Sequence, residues 1–71
     1  MRLHIELERQ PDGRWLAVVV EMPGLAARGD DRLDAYRRAQ ALALRELAAR
    51  LEHNAPIPGA PAELALAFSV V

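Results

Sequence analysis

Pro11-Asp12-Gly13-Arg14-Trp15-Leu16-Ala17-Val18-Val19-Val20-Glu21-Met22-Pro23-Gly24 is the stretch that decides how this chain folds. Pro11 presets φ, and Asp12-Gly13 supplies residues that tolerate positive φ, so a tight turn is expected here. The Val-rich run from Trp15 to Met22 suits a pleated strand. Pro23-Gly24 breaks that strand. On the N-terminal side, Leu3, Ile5 and Leu7 alternate with His4, Glu6 and Glu8, the pattern of a strand with one buried and one wet face. The two segments and the turn between them predict a β-hairpin.

The second strand is apolar on both faces. Leu16, Val18, Val20 and Met22 form one row, and Trp15, Ala17 and Val19 the other. Such a strand is central or covered by a partner. Working outward, Leu25-Ala26-Ala27-Arg28 is a short extended piece ended by Gly29. Asp31 is a helix cap with Asp34 at the third helical position as a shortened capping box, and Asp30 is the other cap candidate. Asp34–Arg38 and Glu46–Arg50 are acid-before-base pairs four residues apart. Ala55-Pro56-Ile57-Pro58-Gly59-Ala60-Pro61 reads as a stiff connector. A last strand follows, in which Leu64, Leu66, Phe68 and Val70 alternate with Ala65, Ala67, Ser69 and Val71.

The expected fold is α+β in two layers, β-β-β-α-β, with one long helix packed on an antiparallel sheet. Strands are expected over about 2–9, 14–22, 25–28 and 63–70, and the helix over about 32–52, in one domain spanning 1–71. On the helix, Ala35, Ala39, Leu42 and Ala43 share one side, whose small residues let it sit close to the sheet. Leu33, Tyr36, Leu44, Leu47 and Leu51 share the other, which is either a wide buried face or a partner contact.

With 71 residues the core barely offsets chain entropy, which costs roughly 1.5 kcal/mol per ordered residue. Without cysteine, disulfides and thiolate metal sites are excluded, which leaves oligomerisation as the source of extra stability. A net charge of −1 without a basic stripe argues against nucleic-acid binding by the chain alone. No apolar run approaches the roughly 20 residues that span a bilayer. Acidic residues follow the start at once, unlike a signal peptide, so a cytoplasmic location is expected. All 9 basic residues are Arg and Ala is abundant, which reads as a GC-rich bacterial genome. Scarce Asn, Gln and Cys are compatible with a thermophile.

Chemistry is sparse. His4, Glu6 and Glu8 share a strand face that reads as solvated rather than metal-binding, and His53 reads as a favourable charge at a helix C-terminus. Ser69 is the only serine, with no base evident beside it. Neither a dinucleotide-binding nor a phosphate-binding loop is present, so no cofactor is expected. Gly13, Gly24, Gly29 and Gly59 read as turn residues. Trp15 reads as a structural residue on the sheet rather than a base-stacking platform, and Arg37-Arg38 as a solvated helix face. No catalytic or metal-ligating residue is assigned.

The succession from Trp15 to Gly24, then Gly29-Asp30-Asp31, Asp34-Ala35 and Ala55-Pro56-Ile57-Pro58, resembles the HicB-like antitoxin N-terminal domain family. The match covers nearly the whole chain. Pro23, Gly24, Gly29, Asp30, Ala35, Ile57 and Pro58 fall where the family pattern expects them. Trp15 stands for its Tyr, Glu21 for its Asp, Met22 for its Leu and Asp31 for its Thr cap, and Val20 departs from its first Pro. The resemblance implies a non-catalytic module that neutralises a HicA-type toxin by covering its active site. It also implies a DNA-binding segment in complete antitoxins, and the chain is read as a short single-domain member without one.

The residues point to interaction independently. Trp15, Ala17, Val19, Ala65, Ala67 and Val71 are expected on the sheet face away from the helix, where an uncovered apolar patch marks an interface. Self-association through that face or through Leu44, Leu47 and Leu51 gives a homodimer or higher homo-oligomer. Two other classes compete. Because the family fold has been compared with partial ribonuclease-H-like folds, a metal-dependent nuclease could be built on Glu6, Glu8 and Glu21 if strand register brought them together. A dimer's combined Arg surface could bind nucleic acid.

Overall fold

The computed structural model describes residues 1–53 and 65–71. The connector and the start of the last expected strand, including Ile57, Pro58, Gly59 and Leu64, lie outside the described residues. Strands β1 (Arg2–Arg9), β2 (Trp15–Val19) and β3 (Ala26–Gly29) precede helix α1 (Arg32–Glu52), and β4 (Ala67–Val70) follows it. The fold is α+β, with one helix on a four-stranded sheet of order β3-β2-β1-β4.

The β1–β2 hairpin turns at the expected residues. Gly13 donates to the Gln10 carbonyl at 3.0 Å and adopts φ 88°, while the Asp12 carboxylate accepts from the Arg14 N–H at 2.9 Å. β2 is shorter than its apolar run. Val20 still donates to the His4 carbonyl at 2.9 Å, but Met22 already donates to the Val19 carbonyl, folding the chain into the turn at Gly24, φ 89°.

The sheet is mixed. β1 pairs antiparallel with β2, and β2 with β3, whereas β4 pairs parallel with β1. The expectation of an antiparallel sheet is thus corrected at β4, which runs in the same direction as β1.

Asp31 caps α1, its Oδ1 accepting from the Asp34 N–H at 2.7 Å. The short Asp34 carboxylate reaches back to the Asp30 N–H at 3.0 Å and is braced by the Arg38 guanidinium at 3.1 Å. The first of these bonds answers one of the orphan donors of the first helical turn, and the others fix the chain that enters it. Arg50 closes the second expected pair onto Glu46 at 3.2 Å.

Ala35, Ala39, Ala43 and Leu47, spaced four residues apart on α1, are buried against Leu3, Ile5, Ala17, Val19 and Ala27. β2 therefore turns the row Trp15-Ala17-Val19 toward the helix, opposite to the sequence expectation. Ala17 and Val19 have no exposed surface, and Trp15 packs against the core. The larger row, Leu16-Val18-Val20, faces away. Close approach explains this choice. A Cβ added to Gly29 would lie 2.2 Å from the Ala35 backbone nitrogen, so only small side chains fit where α1 crosses β3 and β2. Gly29 is needed for this contact and not for a turn.

Gly29→Ala is therefore expected to lower stability by about 1–3 kcal/mol, the usual range for overpacking. Leu47→Ala, which opens a cavity at the other end of the same stripe, is expected to cost about 2–5 kcal/mol. Urea unfolding followed by tryptophan fluorescence measures both.

Candidate functional site

The register sets which side chains share the outer sheet face, the face without the helix. Glu6 lies opposite Val18 and Glu8 opposite Leu16 across β1–β2. Leu16 lies opposite Arg28 and Val18 opposite Ala26 across β2–β3. Ala67 sits beside Arg2, and Ser69 beside His4, across β1–β4. The face thus carries a central apolar row, Leu16-Val18-Val20, between the His4-Glu6-Glu8 row of β1 and the Ala26-Arg28 pair of β3. Leu16 and Val18 are half-buried, while Val20 is 45% exposed and Val71 68%.

The expected interface residues divide accordingly. Ala65, Ala67 and Val71 retain exposed surface. Ala17, Val19 and Leu47 are buried in the core and present nothing to a partner, because small residues were needed beneath the helix and Leu47 continues its Ala stripe. Trp15 is half-buried against that core. On α1, Leu44 and Leu51 are 49% and 56% exposed, as is Leu33 at 55%, while Tyr36 packs inward.

One polar cluster was not legible as a unit. The Glu21 carboxylate accepts from the His4 backbone N–H at 2.7 Å and meets the His4 Nδ1 at 2.5 Å. The residues are 17 apart in sequence, and the hairpin register together with the turn that follows β2 brings them together. Partial burial by itself would raise the Glu21 pKa. The His4 backbone N–H, the His4 imidazole and the Glu21 N–H outweigh it and hold the carboxyl below its ordinary 4.5. Asp34 is likewise lowered, first by the Asp30 N–H and then by the Arg38 guanidinium.

Ser69 lies at the register of His4, so serine, imidazole and carboxylate occupy one end of the outer face. The Ser69 hydroxyl, however, accepts from the Arg2 guanidinium at 2.6 Å, and no bond joins it to the imidazole. Acyl transfer needs that serine–base contact. Glu21 is committed to His4, while Glu6 and Glu8 project farther along β1. Among the described residues no group of three or more His, Cys, Asp or Glu side chains is gathered for a metal ion. No described helix is long and apolar enough to cross a membrane.

No family model matches the chain, and comparisons with curated proteins and with solved structures gave no match either.

The depressed pKa of Glu21 makes a linkage prediction. Its contribution is present above pH 4.5, the ordinary value, and is lost as pH falls through the lower folded value. Glu21→Gln should therefore be less stable than the parent near neutrality, by under about 1 kcal/mol because water screens so exposed a pair. The gap should narrow below pH 4.5. Paired urea titrations across that range read it out.

Proposed function

We propose that this chain is a non-catalytic protein-interaction module of the HicB-like kind, working through the outer face of its sheet. The observation that supports this reading is the apolar row Leu16-Val18-Val20, which no element of the described chain covers. A sheet in a small domain gains stability by burying such a row, and a second copy supplies matching surface.

Charge favours one arrangement of that pair. A two-fold axis along β2 sets the β1 side of one copy over the β3 side of the other, so Glu8 meets Arg28 of the opposite sheet. An axis across the strands would set the acidic β1 rows on each other, which is unfavourable. In this reading the homodimer is cytoplasmic and bacterial. The resemblance adds a HicA-type toxin as the expected partner.

Light scattering should give a mass of two chains at micromolar concentration. Val18→Arg should convert the protein to a single chain with its fold intact by circular dichroism, and Leu44→Arg should not. A single-chain mass for the parent would sink the self-association. Co-expression with a HicA-type toxin encoded beside the gene tests the partner: restored growth and a co-purified complex support it, and unrelieved toxicity removes it.

A further inference from the structure

Among the described residues β3 is an edge strand with no neighbour on its outer side, and that edge is chemically distinctive. In an antiparallel ladder, backbone groups point alternately toward and away from the neighbour. Val19 donates to the Leu25 carbonyl at 3.0 Å, which fixes the alternation: Ala27 and Gly29 bond to β2, while Ala26 and Arg28 aim their N–H and C=O groups outward. Most edges of this kind are blunted by charge or by shortness. Here the edge also forms one wall of a groove of about 390 Å³, lined by Ala27, Arg28, Arg38, Ala41, Leu42 and Arg45. Three of these are arginines, of which Arg38 is also bonded to Asp34, and among the described residues no carboxylate lines the groove. Neither Arg28 nor Arg45 has an ion pair among the described residues. On a chain of net charge −1, this is a local concentration of positive charge beside unpaired strand backbone.

We propose that the β3 edge binds an extended acidic peptide segment, which adds as a fifth strand to the sheet. Residues opposite Ala26 and Arg28 exchange backbone hydrogen bonds with them. The residue opposite Ala27 faces the helix, where its stem rests on Ala41 and Leu42 and its carboxylate meets Arg38 and Arg45. Strand addition of this sort takes affinity from the backbone and selectivity from alternate side chains. A second copy of this chain is a poor occupant. Edge-to-edge pairing about a two-fold axis normal to the sheet would bring two sets of Arg38 and Arg45 together, like charge on like. The outer-face dimer leaves this edge open, since it engages the Arg28 side chain and not its backbone.

An acetylated, amidated peptide of alternating glutamate and valine serves as the probe, titrated into ¹⁵N-labelled full-length protein. The expected result is perturbation of the Ala26 and Arg28 amides, with their hydrogen exchange slowed. Arg45→Glu, at an exposed helix position, should weaken binding about tenfold while leaving the free protein's spectrum otherwise intact. N-methylation of alternate peptide bonds in the register that faces β3 should abolish binding. Equal affinity for the N-methylated peptide would overturn the proposal, as would unchanged binding by Arg45→Glu. Stronger binding of a single-stranded oligonucleotide at the same amides would also overturn it, since the groove would then be a polyanion site. Protection of the Ala26 and Arg28 amides in the free protein would do so as well, by showing the edge already paired. None of these readings depends on the Val18→Arg result.

Discussion

The contact between Gly29 and Ala35 constrains everything else in this structure. With a backbone nitrogen only 2.2 Å from where a Cβ would stand, α1 lies nearly against the backbone of β3. Close approach demands small residues around it, and Ala17, Ala27, Ala39 and Ala43 provide them. Farther along, where the helix leaves the sheet, Leu47 fills the wider gap. The parity of β2 follows from the same contact. Once Ala17 must lie under the helix, Trp15 and Val19 go with it, and Leu16, Val18 and Val20 are left outside.

That dependence marks how far the sequence could be read. The hairpin turn, the Asp31 cap, the Ala stripe on α1 and the element order were all visible, because each is set by residues within a few positions of one another. The facing of β2 was not. Both of its rows are apolar, and the larger one looks like the better core, so hydrophobic volume pointed the wrong way. Gly29 held the missing signal, but beside Asp30-Asp31 it reads as a turn. The parallel pairing of β4 was not legible either, because the stretch of chain between α1 and β4 is long enough to bring the last strand in from either end of the sheet.

The residues expected at an interface show the same division. Ala67 and Val71 depend only on which face of β4 is wet, and they fall outside as expected. Ala17, Val19 and Leu47 depend on where the helix sits, and they fall inside. The His4–Glu21 pair depends on hairpin register over residues that look unrelated in sequence. With it the outer face acquires a fixed polar corner beside its apolar row, and Arg2 of β1 and Ser69 of β4 complete that corner.

The parallel β1–β4 ladder has a consequence for the order in which the domain assembles. The Met1 ammonium donates to the Ala65 carbonyl across 64 positions of chain, whereas β1, β2, β3 and α1 each pack on an element near them in sequence. Closing so long a loop carries entropy that must be met before its contacts give anything back. The meander and helix can therefore form as a first cooperative unit, and β4 docks onto a surface already made. The same asymmetry operates in reverse, because among the described residues the strand that joins last is paired with one other strand, β1, and adds Phe68 at the margin of the core. Local opening that spares the core begins at β4, and it uncovers the flank of β1 while the helix stays seated on Gly29.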